Sequence, residues 1–200
     1  RGAYNRIAAL TPAERSRGVV AASAGNHAQG VALAAALLGV PSTVYMPEGA
    51  SLPKIEATAA YGATIRFFGS TVDAALTAAV ADSERTGAIL IHPFDHPDVI
   101  AGQATVGSEI AAQHPEVCTV AVCTGGGGLL AGVTLGLRDA GCDARVVGVQ
   151  AAGAASYPAS LRAGHPVALQ RMSTMADGIA IARPGRGDFD IIAAAGIDFV

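Results

Sequence analysis

Four consecutive glycines, Gly125 to Gly128, follow an apolar β-prone run (Cys118 to Thr124) and open a helix-like one (Leu129 to Leu137). A strand ending in residues without side chains exposes its backbone N–H groups where the next helix directs its positive dipole end, which makes a phosphate cradle. Four glycines carry a large conformational-entropy cost, so a plain turn is a poor account of them. A second strand–loop–helix junction, Val19 to Gly30, places Ser23, Ala24, Gly25, Asn26 and His27 at another helix mouth. A hydroxyl, a carboxamide and an imidazole gathered there suit a carboxylate or a conjugated oxygen. The plainer readings are that Ser23 caps the helix beginning near Asn26 and that His27 is an ordinary first-turn polar residue. Two anion sites together suggest a phosphorylated cofactor held opposite an anionic substrate.

The identity of the phosphate is narrowed by what is missing. Gly126, Gly128 and Ala131 fit G-x-G-x-x-A, the dinucleotide fingerprint, but that motif needs an acid closing the next strand to hold a ribose. The next strand ends at Val149-Gln150 with no acid nearby, and no G-K-[ST] follows the glycines. A mononucleotide-sized phosphate remains.

The elements that must position these groups alternate along the chain. Strands are predicted at 18–23, 42–46, 64–68, 88–92, 118–124, 145–150 and 197–200. Helices are predicted at 26–39, 51–61, 71–86, 98–113, 129–140, 155–163 and 188–195. Thr71 to Ala74 reads as a helix start, and Gly39, Gly62 and Gly141 read as helix stops. The rhythm predicts an α/β fold whose mainly parallel sheets are buried on both faces. Two prolines in His92 to Pro97 mark a boundary. Residues 18–95 are assigned to a smaller αβ lobe, and 1–17 with 96–200 to a larger one.

Composition excludes several classes. Apolar residues are 51% and charged ones 14%, so much of the chain must be buried. With a net charge of −3 and scattered basic residues, nothing follows a nucleic-acid backbone. No apolar run reaches membrane-spanning length and no signal sequence opens the chain. Cys118, Cys123 and Cys142 lack metal-site spacing; the first two read as small core residues in a strand, which fits a reducing cytoplasm. His92, His96, His114 and His165 also lack ligand spacing and are read as loop or surface residues, so no metal site is expected. The start at Arg1, inside a helix-like stretch, and the stop after Ile197 to Val200 read as a piece lacking both ends.

Ser23-Ala-Gly-Asn-His-Ala-Gln-Gly30 together with Gly125-Gly-Gly-Gly-Leu129 resembles the fold-type II pyridoxal-phosphate enzymes, in the threonine dehydratase (threonine ammonia-lyase) branch. Arg1-Gly-Ala-Tyr-Asn5 resembles the segment just after that family's Schiff-base lysine. Ile100-Ala-Gly-Gln103 and Ala176-Asp-Gly178 also match family patterns, so the likeness runs through the whole chain in order. It implies a tryptophan-synthase-β-like fold of two open, mainly parallel twisted sheets with helices on both faces. It further implies β-elimination from L-threonine or L-serine to a 2-oxo acid and ammonia, with pyridoxal 5′-phosphate as cofactor and a cytoplasmic homodimer or homotetramer. By the same likeness the backbone of Gly125, Gly126, Gly127, Gly128 and Leu129 holds the phosphate, and Asn26 donates to the ring's 3′-oxygen. Ser23 to His27 grip the substrate carboxylate, and Gly178 lies against the cofactor.

Departures from the family pattern sharpen the branch. The only lysine, Lys54, does not match the Schiff-base position, which the likeness places just before Arg1; Lys54 is expected in solvent near a helix start. Ala24 stands where serine racemase relatives carry a second serine, and Gln150 where metal-dependent relatives carry glutamate. Gln29 and Tyr61 match positions where some relatives contact an adenine-nucleotide effector; a surface amide and a helix-end aromatic are their plainer readings. Asp177 is either a site residue or an acidic turn former. The rival readings are a serine racemase or 3-hydroxyaspartate dehydratase on the same scaffold, a non-catalytic phosphate-ligand binding module, and a dinucleotide-dependent oxidoreductase.

Overall fold

Short apolar runs alternating with longer helical ones leave parallel strands joined by crossover helices as the economical way to pair every strand. The structure, a computed structural model, describes residues 1–200 and divides into two compact units, Arg1–Pro93 and Phe94–Val200.

The first unit runs α1 (Gly2–Ala8), α2 (Pro12–Ser16), β1 (Val19–Ala22), α3 (Asn26–Leu37), β2 (Ser42–Met46), α4 (Leu52–Ala60), β3 (Thr64–Phe67), α5 (Val72–Thr86) and β4 (Ile89–Leu90). Its four strands are parallel in the order β3-β2-β1-β4, with Val20 opposite both Thr43 and Leu90. β1 is buried on both faces. Val19 and Ala21 pack with Ile7, Leu10, Val31 and Ile91, while Val20 and Ala22 pack with Tyr45, Ala75 and Ala79. The chain leaves β1 for β2 on one side and reaches β4 on the other, so the loop ending β1 lies at a topological switch point, where open α/β sheets bind ligands.

The second unit runs α6 (Pro97–Gln113), β5 (Thr119–Cys123), α7 (Gly128–Asp139), β6 (Arg145–Val149), α8 (Ser156–Ala163), α9 (Arg186–Ala195) and β7 (Asp198–Phe199), with 3₁₀ turns at Ala152–Ala154 and Asp177–Ile179. Its strands are parallel in the order β5-β6-β7. α6 and α7 meet along a seam of glycines. A Cβ on Gly132 would lie 2.8 Å from the Ile100 carbonyl oxygen, one on Gly136 1.9 Å from the Ala104 oxygen, and one on Gly107 2.3 Å from the Val133 oxygen. Those distances are below any real carbon–oxygen contact, so the seam admits no side chains. It fixes α7, and with it the direction of that helix's amino end.

The structure differs from the sequence reading in four places. Residues 1–17, expected with the second lobe, belong to the first unit, because Ala3, Ile7 and Leu10 bury themselves against β1 and α3. Helix α2 was not foreseen. Thr11 accepts the Glu14 N–H at 3.3 Å while the Glu14 carboxylate accepts the Thr11 N–H at 2.8 Å, a reciprocal cap that starts five helical residues with Pro12 leading. Cys118 and Cys123 are exposed rather than core, because β5 is an edge strand that buries only Val122. For the same reason the expectation of sheets covered on both faces holds at β1 but not at β5 or at the largely exposed edge strand β3.

Candidate functional site

Each unit carries one candidate site at a strand–helix junction. In the second unit, β5 ends at Cys123, and Thr124 to Gly127 turn the chain into α7. The helical hydrogen bonds of α7 begin at the usual place, with the Ala131 N–H donating to the Gly127 carbonyl at 2.8 Å; the first-turn amides, and those of Gly125 and Gly126 before them, meet no acceptor in the chain. Gly126, Gly127 and Gly128 are nevertheless buried. An unpaired buried amide costs about 1–3 kcal/mol, so this row of donors calls for an acceptor from outside. A phosphate ester supplies three oxygens with charge suited to the helix's positive end. The donor set therefore fits the cofactor phosphate that the sequence implies.

The glycines are demanded by their surroundings. A Cβ on Gly126 would lie 2.5 Å from the Phe94 ring, and one on Gly128 2.9 Å from the Phe94 Cα. Gly127 has a φ of 116° and its Cβ would meet the Tyr157 hydroxyl at 2.0 Å, so both conformation and space require glycine. A Cβ on Gly125 would touch Ile179 and Ile181, which places the Asp177–Ile179 turn, and Gly178 within it, beside the loop. Gly178 itself has open space around it, and both it and Asp177 in the same turn are exposed.

Behind the loop lies a polar layer the sequence did not reveal. The Tyr157 hydroxyl donates to the Gly126 carbonyl at 3.0 Å. Asp95 accepts the Arg186 and Gly187 N–H groups at 2.8 and 2.9 Å and so caps α9. Asp188 is fully buried and neither carboxylate oxygen has a hydrogen-bond partner. Burial, reinforced by Asp95, pushes the Asp188 carboxyl up to about 8, so it is held mainly as the neutral acid. Gln150 is also structural: its amide donates to the Thr124 carbonyl at 3.3 Å and its oxygen accepts the Tyr157 N–H at 2.9 Å, tying the end of β5 to α8.

In the first unit, Ser23 does not cap α3. Its hydroxyl oxygen accepts the Gly25 N–H at 3.0 Å, bending the loop after β1, and Gly25 takes the N-cap position without a side-chain bond. Asn26 is exposed at the first residue of α3. His27 Nε2 lies 2.9 Å from the Ile91 carbonyl; since a carbonyl only accepts, this nitrogen carries the proton and Nδ1 keeps its lone pair. Part of the residue is exposed, yet the ring edge is withdrawn from water. That burial lowers its pKa to about 4, with His92 acting in the same direction, so the ring is neutral near pH 7. Ala24 is half-buried. Gln29 lies in α3 and the exposed Tyr61 caps the carboxyl end of α4, with no hydrogen bond joining them. Lys54 sits in the first turn of α4 and is half-buried rather than in solvent.

The whole chain, residues 1–200, matches the family described as pyridoxal-phosphate dependent enzyme. It is 48% identical over 192 residues to the L-threonine ammonia-lyase of Thermotoga maritima, covering 96% of this chain and 48% of that protein. It is 41% identical to the catabolic L-threonine dehydratase TdcB of Escherichia coli K12, over 96% of this chain and 58% of that one. Among solved structures, processed threonine deaminase isoform 2 of Solanum lycopersicum superposes with a TM-score of 0.93 at 42% identity, covering 100% of this chain and 59% of that one. Maize serine racemase also superposes at 0.93, with 35% identity and 100% and 60% coverage. The chain spans about half the length of the curated relatives it matches.

Proposed function

The chain belongs to the pyridoxal-phosphate dependent enzyme family, and from that premise we propose that the protein containing it is an L-threonine ammonia-lyase that also accepts L-serine. The observation that carries this reading is the row of unpaired amides from Gly125 to Leu130, together with identities of 41–48% to threonine ammonia-lyases and a threonine dehydratase. The backbone of Gly125 to Leu129 holds the cofactor phosphate. When bound, pyridoxal phosphate supplies an electron sink for charge developing at the substrate's α-carbon.

The chain's own residues bind and orient. The loop from Ser23 to His27 accepts the substrate carboxylate at the amino end of α3, where the N–H groups and the helix dipole favour an anion. Holding that carboxylate decides which α-carbon bond is presented for cleavage. Asn26, exposed at the helix mouth, donates to the cofactor's ring oxygen. His27, neutral and anchored to Ile91, shapes the loop without adding charge. Gly178 offers an open surface beside the glycine loop against which a flat ring can lie. Gln29 and Tyr61 are proposed as contacts for a nucleotide effector.

The test uses the full-length protein with L-threonine and L-serine, following 2-oxo acid and D-serine separately. Release of 2-oxobutanoate and pyruvate, with D-serine slower, supports the lyase. Faster interconversion of serine enantiomers than pyruvate release assigns a racemase instead, the reading favoured by the maize likeness and disfavoured by Ala24. Borohydride reduction with the cofactor bound should label a lysine other than Lys54.

A further inference from the structure

The Gly126 carbonyl oxygen accepts two hydrogen bonds from inside the second unit: the Tyr157 hydroxyl at 3.0 Å and the Gly185 N–H at 3.0 Å. A carbonyl oxygen has two lone pairs, so its capacity is filled. The chain has no cis peptide bond, and in a trans peptide the C=O and the following N–H point in opposite directions. Fixing the Gly126 oxygen toward Tyr157 and Gly185 therefore aims the Gly127 N–H the other way, away from both of those groups. Gly127, with its left-handed φ, has no side chain of its own to hold that plane.

We propose that Tyr157 is a positioning residue for phosphate recognition, its hydroxyl locking the Gly126–Gly127 peptide so that the Gly127 amide is presented to the anion. This rests on the reading of the glycine loop as the phosphate cradle. The ring of Tyr157 has a separate task. It is fully buried and stacks on Phe199 at 4.8 Å between centroids with planes 12° apart, and on Phe189 at 6.5 Å. A phenylalanine there would fill the same core and lose only the oxygen. The hydroxyl also stays a donor throughout the working range, since burial and the neighbouring Asp188 and Asp95 disfavour its ionisation. Of the two donors on the Gly126 oxygen, the Gly185 amide belongs to a backbone that Asp95 already fixes at the start of α9, so the hydroxyl is the one a substitution removes cleanly.

The test compares full-length wild type with Tyr157→Phe in three measurements. Dissociation constants are obtained for pyridoxal 5′-phosphate and for pyridoxal, which lacks the phosphate. Amide resonances of Gly125 to Leu129 are followed during titration with inorganic phosphate. The unfolding midpoint of the cofactor-free protein reports the fold. Wild type should show phosphate-induced shifts in those amides and prefer the phosphorylated ligand. In Tyr157→Phe the ratio of the two dissociation constants should fall about 5- to 30-fold, as expected for one oriented buried hydrogen bond, with the Gly127 shift reduced most. A lowered midpoint with an unchanged ratio would make Tyr157 a core residue only and overturn the proposal. Absence of phosphate-induced shifts in wild type would instead remove the reading of the loop, and the proposal with it.

Discussion

On the proposed reading, the two strand–helix junctions solve the same electrostatic problem with opposite materials. At the end of β1, Gly25 has open space where a side chain would project, and chemistry is left to Ser23, Asn26 and His27. At the end of β5, Gly125 to Gly128 are hemmed by Phe94, Tyr157, Asp188 and Ile179, and only backbone is offered. One mouth can vary its side chains while keeping its fold. The other has its geometry dictated from behind, so its tolerance to change is small.

The largest expected contrast is between Gly127→Ala and Gly25→Ala. The first forces a Cβ into the Tyr157 hydroxyl at a left-handed φ and should cost about 3 kcal/mol or more, with cofactor binding lost in titration. The second has a negative φ and free space, and should cost no more than about 1 kcal/mol in thermal unfolding. Equal losses would erase the distinction. The supporting helices extend it. Gly136→Ala drives a Cβ into the Ala104 carbonyl and should destabilise by about 1–3 kcal/mol. Gly30→Ala in α3 meets only the Ala3 methyl at 3.8 Å and should stabilise by roughly 0.5–1 kcal/mol through helix propensity.

Titration separates the junctions in sign. His27, lowered to about 4 from its ordinary 6.5, binds a proton more readily unfolded, so its contribution to stability rises with pH between about 4 and 6.5 and is lost below. Asp188, raised from 3.8 to about 8, binds a proton more readily folded, so its contribution is greatest below about 4 and fades as pH climbs to 8. Asp188→Asn should therefore unfold at a higher temperature than wild type at pH 8 and lose that advantage at pH 4. A constant offset across that range would show that Asp188 does not titrate there. The smallest effect on folding belongs to Asn26→Ala, an exposed site. It should leave the unfolding midpoint within about 0.5 kcal/mol of wild type while lowering kcat more than it raises KM for threonine. Unchanged kcat would remove Asn26 from its proposed role.

The fold class and family were readable in the sequence because they rest on local periodicity and on glycines clustered beside strands. The strand segments β1 to β3, the helix starts at Asn26 and Val72, and the glycine loop all have neighbours in sequence as their cause, whereas the order of the strands in the sheet does not. What escaped depends on residues far apart. Asp95 caps a helix about ninety positions later, Phe94 pads the loop from before α6, and Tyr157 reaches back to Gly126. No pattern around Tyr157 or Asp188 distinguishes them from an ordinary aromatic and an ordinary first-turn acid. The misreading of Cys118 and Cys123 has a related origin: an apolar strand looks the same in sequence whether it lies at the centre of a sheet or at its edge.

As the phosphate cradle proposed above, a run offering only peptide amides also sets a limit on discrimination. Such groups sense charge and the placement of oxygens, and they are blind to whatever organic body the ester carries. Choosing a vitamin-derived aldehyde over a sugar or nucleoside monophosphate must therefore fall to side chains outside the glycine run. Metabolites bearing a terminal phosphate should thus compete for the same amides, an inhibition that titration with glycerol phosphate would reveal.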